Sequence, residues 1–242
     1  MAIFAISDLH LSFNTDKPMN IFGWEDYEKI IEDDWKEKVT DNDLVLLPGD
    51  FSWEMKLENM EKDLEFIHKL PGKKLLLKGN HDFWWETLKK MREFLEKNGF
   101  DDIDFIYNNS YLFDDYIIAG TRGWILGSEN NAIENMEKQD SLKDDKKIRA
   151  REEQRLEMSI LDGINKYGDD KKIIACIHYP PLTTKNQETG FTKILEKYGV
   201  EKCIYGHLHG KIQEEAIQGV INNVEYIMTS CDYLQFKLKK VV

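Results

Sequence analysis

Lys78-Gly79-Asn80-His81-Asp82 is the stretch on which the reading of this chain turns. Lys74-Leu75-Leu76-Leu77 before it is an apolar run of strand length. Phe83-Trp84-Trp85 after it reads as the opening of a helix whose apolar face continues through Leu88, Met91 and Leu95. A strand that ends in a glycine turn delivers the next side chains to its carboxyl end, where open α/β sheets build their sites. Those side chains are an amide, an imidazole and a carboxylate. An amide oxygen can hold a hard cation, an imidazole can hold a metal or move a proton, and a carboxylate can orient that imidazole. The stretch therefore predicts a site that other segments must complete.

The same punctuation recurs along the chain. An apolar run from residue 2 to 6 ends at Ser7-Asp8-Leu9-His10, and one from 44 to 47 ends at Pro48-Gly49-Asp50. Runs over 172–177 and 202–205 end at His178 and at Gly206-His207-Leu208-His209. Helical periodicity separates them, through Trp24, Tyr27, Ile31, Trp35 and Val39, then through Leu57, Met60, Leu64 and Ile67 up to Pro71-Gly72. Further strands are expected over 103–107, 111–113, 116–119, 217–221, 224–229 and 234–238, with a hairpin turn at Asn222-Asn223. Five of the six histidines fall in strand-end turns, and only His68 sits on a helix. Imidazole, carboxylate and amide without thiolate suit two hard or borderline divalent cations such as Mn, Fe or Zn. If extended, Asp-x-His and His-x-His each put two ligands on one side of the chain.

Bulk properties narrow the function. A chain of 242 residues, 41% hydrophobic, can bury a full core. Its net charge of -12 argues against long duplex nucleic acid or an anionic membrane as the main partner. It leaves room for a small phosphorylated substrate, because bound cations reverse the local sign. No apolar run approaches the ~20 residues of a membrane span, and the apolar start is too short for a signal peptide. Three cysteines, Cys176, Cys203 and Cys231, with no close pair, point to a reducing compartment and a cytoplasmic protein.

The ordered set Asp8-Leu9-His10, Gly49-Asp50, Gly79-Asn80-His81-Asp82, His178 and Gly206-His207-Leu208-His209 resembles the calcineurin-like metallophosphoesterase superfamily. The resemblance implies an α/β (α+β) fold, a four-layer αββα double β-sandwich flanked by helices in a single domain over residues 1–242. It implies one metal held by Asp8, His10, Asp50 and His209, and a second held by Asp50, Asn80, His178 and His207. Asp50 would bridge them. His81 would face the substrate, with Asp82 behind it to orient the ring. The implied activity is hydrolysis of a phosphomonoester or phosphodiester; the alternatives are a nuclease or a non-catalytic metal-binding scaffold of the same fold.

The chain departs from the family pattern in two places. Where the family often has Gly-Asp-x-x-Asp, Trp53 replaces the second carboxylate and could wall the pocket. The stretch between His10 and Asp50 is long, which predicts an added helix at the rim. Arg122, flanked by Gly120 and Gly123, is a candidate bidentate donor to a substrate phosphate, or else a surface ion pair. Trp84, Trp85 and Trp124 read as core. Residues 128–166, charged and free of proline, are expected to form a solvated helix, inserted or capping the site, whose end docks through Ile160, Leu161 and Ile164.

Overall fold

Strand alternation sorts the chain into layers. In β1 (Ile3–Ala5), Ile3 and Ala5 face one way and Phe4 the other. The computed structural model describes residues 1–17, 19–126, 136–185 and 187–242, with the backbone alone for 136–143. The other strands are β2 (Leu44–Pro48), β3 (Lys73–Leu77), β4 (Ile103–Ile106), β5 (Tyr111–Phe113), β6 (Tyr116–Thr121), β7 (Lys172–Ile177), β8 (Lys202–Tyr205), β9 (Gly219–Ile221), β10 (Val224–Met228) and β11 (Lys239–Lys240).

They form two sheets, in the orders β11-β1-β2-β3-β4 and β5-β6-β7-β8-β10-β9. β1 to β4 run parallel, as do β6, β7, β8 and β10, while β5, β9 and β11 pair antiparallel at the edges. Between the sheets lie Ala5, Leu46, Leu75 and Leu77 from the first, and Ile118, Ile174, Cys176 and Ile204 from the second. The opposite face of the first sheet packs on α1 (Tyr27–Lys38), α2 (Glu61–His68) and α3 (Leu88–Asn98), through Trp35, Leu64 and Met91 among others. The outer face of the second packs on α4 (Met136–Tyr167) and α5 (Gly190–Lys197), through Leu156, Ile160, Phe191 and Leu195. This is the expected αββα double sandwich. Among the described residues, no helix is long and apolar enough to cross a membrane.

The charged helix is a layer of the fold from its middle onward. Gly120 N–H donates to Ser159 Oγ at 2.9 Å and Thr121 Oγ1 to Glu152 Oε2 at 2.6 Å, tying α4 to β6. A side chain at Gly163 would lie 2.3 Å from Ile117, so the glycine lets helix and strand approach. Leu161, expected to dock, is exposed, and the load falls on Leu156 and Ile160. Residues 128–135 lie outside the described ones.

Two local expectations are corrected. Phe83 to Glu86 do not start the helix: α3 begins at Leu88 behind Thr87, whose side chain accepts from Lys90 N–H, while Trp84 and Trp85 turn into the core. Residues 234–238 are a turn to Phe236 followed by irregular chain, not a strand, because Gln235 and Phe236 take positive φ of 54° and 59°, and β11 forms after them.

Candidate metal centre

The parallel strands of both sheets end on one side of the sandwich, and their following turns hold the candidate ligands. Asp8, His10, Asp50 and His207 all adopt left-handed backbone, with φ of 61°, 47°, 50° and 72°. Such conformations cost about 1 kcal/mol or more per residue and persist where surrounding structure fixes them. Asp8 and His10 therefore converge through a turn and not through strand alternation. Asp8 N–H donates to Gly49 O at 2.9 Å and His10 N–H to Asp50 O at 3.0 Å, which stitches the first turn to the second.

Two groups of ligand atoms result. Asp8, His10 and His209 form one; Asp50, His178 and His207 form the other, and within each the candidate atoms lie within 4.8 Å of one another. Asp50 Oδ2 stands between the groups, 3.8 Å from His10 Nε2 and 3.5 Å from His178 Nε2. Asn80 Oδ1 is 2.8 Å from His178 Nε2. The glycines of the motifs make room for the carboxylates: a Cβ at Gly79 would lie 2.1 Å from Asp50 Oδ1, and one at Gly206 2.3 Å from Asp8 Oδ2.

Donor chemistry tests whether cations fit. His178 Nδ1 is 3.0 Å from the Pro48 carbonyl, which only accepts, so Nδ1 carries the proton and the neutral ring has a bare lone pair at Nε2. That lone pair faces the oxygens of Asn80 and Asp50, three electron-pair donors that share at most the proton Asp50 carries. Among the described residues, His10 Nδ1 is buried without a hydrogen-bond partner, and His209 Nε2 has only Asp8 Oδ1 near it, at 3.4 Å. Divalent cations satisfy such a set, and the residues fit them.

The titration tendencies agree. Burial and then the nearby Asp8 carboxylate push Asp50 up to about 8. Burial pulls His10 down to about 3 and, with His178 beside it, His207 down to about 4. Burial also lowers His178. Burial opposes the charged form of Asp8, but the hydrogen bond from His209 and the fields of His178 and His209 hold its carboxyl far below the usual range. For His209 burial is outweighed by Asp232 and Asp8, which raise it to about 10. A cation entering here replaces protons on Asp50 and His209.

Asp82 departs from its expected part. Among the described residues, its hydrogen-bond partners do not include the His81 ring. Its Oδ2 accepts from Gly79 N–H at 2.7 Å and Asp50 N–H at 2.9 Å; its Oδ1 accepts from Phe51, Ser52 and the Trp84 indole at 3.0, 3.3 and 3.0 Å. Fully buried, it holds the Asp50 turn against the Gly79 turn, and burial followed by the Asp50 charge raises it to about 6. His81 is half buried, with no hydrogen bond from its ring among the described residues, and its N–H donates to Asp50 Oδ1 at 2.7 Å.

The His81 ring opens on a cavity of about 390 Å³ shared with His10, His209, Trp24, Trp53 and Met19. Trp53 stacks on His10 at 4.7 Å and lies 4.6 Å from His81, in the wall position. The long 10–50 segment supplies Met19 and Trp24 to this rim through a short 3-10 turn, Met19–Phe22. Trp124 is not core: it lies under the Arg122 guanidinium at 4.5 Å and donates to Asp145 at 2.9 Å. Arg122 faces the buried Glu152 at 3.8 Å, within ion-pair distance, with its own side chain 20% exposed. His68 pairs with Asp102 at 2.6 Å, apart from the centre.

Sequence reading missed Asp232, which accepts from His209 Nδ1 at 2.9 Å and from Gly210 N–H at 3.2 Å. The signal was there, since Asp232 is a carboxylate in the turn after β10. It also missed Ser7, whose hydroxyl donates to Asp8.

A double sandwich with carboxylate–imidazole clusters at the carboxyl ends of its parallel strands is the architecture of a metal-dependent phosphoesterase. The sequence matches the model of the calcineurin-like phosphoesterases over residues 1–211, and the chain belongs to that family. No curated protein matches it. Among solved structures it is similar in fold to a phosphopantetheinyl hydrolase from Mycobacterium tuberculosis, at 11% identity and a TM-score of 0.60 over 100% of this chain and 95% of that one. It is likewise similar to TT1561 from Thermus thermophilus, at 13% identity and a TM-score of 0.55 over 98% and 96%.

Proposed function

We propose that this protein hydrolyses a small phosphate monoester or diester, with one cation held by Asp8, His10, Asp50 and His209 and a second by Asp50, Asn80, His178 and His207. The observation that carries this reading is Asp50 Oδ2, facing one imidazole of each donor group at 3.8 and 3.5 Å. When bound, two divalent cations acidify a water toward a pKa of ~7 and neutralise charge developing on the phosphoryl oxygens.

The protein's own groups do the rest. Asp82 fixes the turn that presents Asp50, and Asp232 fixes the His209 ring. His81 is the imidazole left free to touch the substrate. Burial and the field of His178 lower its pKa, so it meets the substrate neutral, with one ring N–H to donate a hydrogen bond to a phosphoryl or leaving oxygen. Such a role contributes about 10²–10⁴ in rate. Trp24 and Trp53 line the cavity on which His81 opens and give an apolar surface to the part of the substrate that is not transferred. Three buried, unpaired cysteines support a reducing, cytoplasmic setting.

The test is turnover of p-nitrophenyl phosphate and of its bis ester with Mn added. His81→Ala is expected to keep both cations and lose activity, and Asp50→Asn to lose both. Full activity in His81→Ala sinks the assignment, and the ratio of the two esters sets the substrate class.

A further inference from the structure

The catalytic reading leaves a second cavity unused. It measures about 240 Å³ and is lined by Lys78, Tyr107, Arg122, Arg151, Glu152 and Arg155 among others. Four cations and one carboxylate face it, in a chain whose net charge is -12. Such a local reversal of sign marks a place where an anion is favoured.

The one carboxylate is already engaged. Glu152 accepts from Thr121 at 2.6 Å and from Arg155 at 2.6 Å, and stands 3.8 Å from Arg122. Among the described residues, Arg122 Nε is buried with no hydrogen-bond partner. Among the described residues, neither Lys78 nor Arg151 has an acidic group within ion-pair distance. Excess positive charge and a guanidinium with an orphaned N–H therefore border a space with room for a tetrahedral oxyanion.

Topology places this cavity beside the metal centre. Its walls are the carboxyl ends of β3, β4 and β6, with α4 across them. The centre uses the ends of β1, β2, β3, β7 and β8. Lys78 precedes Gly79 and Asn80, and the Arg122 carbonyl accepts from Tyr179 N–H at 3.0 Å, next to His178. The aromatic cavity with Trp24 and Trp53 lies on the β1 side of the centre, so the two cavities flank it.

We infer that Lys78, Arg122, Arg151 and Arg155 form an anion subsite that receives a second phosphoryl group of the substrate. This rests on the hydrolase reading for its kinetic part, while the binding part stands without it. The preferred substrate then carries two phosphoryl groups, one held at the centre and one in the basic cavity.

The experiment has two arms, both on the full chain. In the first, inorganic pyrophosphate is titrated by calorimetry into EDTA-treated protein, wild type and Arg151→Glu. Arg151 is exposed and unpaired among the described residues, so the substitution leaves the fold intact, and Lys78→Gln serves as a second variant. Affinity is expected to fall about tenfold or more in each, as loss of a charge-assisted contact requires. Equal affinity in wild type and both variants overturns the subsite. In the second arm, the metal-loaded chain hydrolyses butanediol bisphosphate and butyl phosphate. Arg151→Glu should raise KM for the bisphosphate about tenfold more than for the monophosphate. Equal changes in the two KM values, with pyrophosphate binding lost, would show a separate anion site and overturn its assignment to substrate. Absence of any turnover in wild type counts against the hydrolase reading alone, since the first arm is read without it.

Discussion

Asp82→Asn separates two accounts of one carboxylate. Asp82 accepts three N–H groups at Oδ1 and two at Oδ2, four of them from the backbone of Gly79, Asp50, Phe51 and Ser52. Asparagine keeps one acceptor oxygen and turns an NH₂ group toward at least two of those donors. Each buried N–H left unsatisfied costs about 1–3 kcal/mol, or roughly 2–6 kcal/mol together. Relief from burying a charge offsets this: a carboxyl raised by burial from 3.8 to about 6 returns on the order of 3 kcal/mol when neutralised. The net change is at most ~3 kcal/mol, so the variant folds. Locally, however, the Asp50 and Gly79 turns lose the group that joins them. Mn affinity, measured by calorimetry, is expected to fall about 10–100-fold, as for other groups that support a ligand, with the melting temperature only moderately lower. Unchanged Mn affinity together with a 10²–10⁴-fold loss of turnover would refute this and restore a part for Asp82 in steering His81.

Two further predictions concern groups outside the motifs. Asp63 is fully buried; burial, only partly offset by hydrogen bonds from Ser52 and Phe13 and joined by the Glu54 charge, raises it from 3.8 to about 6. The folded state thus holds the proton more tightly, so stability falls as pH rises from about 4 through 6. Asp63→Asn should remove a cost on the order of 3 kcal/mol at pH ~7.5, raising the melting temperature by ~2–4 °C per kcal/mol, with the gain vanishing near pH ~4; an equal shift at both pH values would contradict it. Asp232→Ala, which unpairs His209 Nδ1, should weaken one of two Mn-binding events about 10–100-fold and leave the other; two unaltered events would remove Asp232 from the centre.

The strands and the donor turns could be read from the chain because buried parallel strands are continuous apolar runs, and polar residues just past them have few other places to go. The errors lie where backbone geometry overrides pattern. Leu234, Phe236 and Leu238 alternate like a strand, yet positive φ at Gln235 and Phe236 curls them into turns, and Phe236 packs on Trp24 at 5.2 Å. Trp84 and Trp85 have helical spacing to Leu88, but their rings are spent in the core ahead of the Thr87 cap. The part played by Asp82 was illegible since its partners are mostly backbone amides, which carry no sequence signal. The basic cavity was illegible because its side chains come from positions 78, 122, 151 and 155, which only the packing of α4 on β6 brings together.

Each donor group draws on both halves of the sandwich. Asp8 and His10 come from the first sheet and His209 from the second; Asp50 comes from the first and His178 and His207 from the second. A cation in either group is then a crosslink between sheets, placed at the one end where apolar packing gives way to polar turns. The chain has three free cysteines and no disulfide among them, so on the proposed reading reversible coordination would take the place of a covalent staple. Chelation would loosen the sandwich from that end first, and amide exchange in β7 and β8 would report it before the outer helices respond.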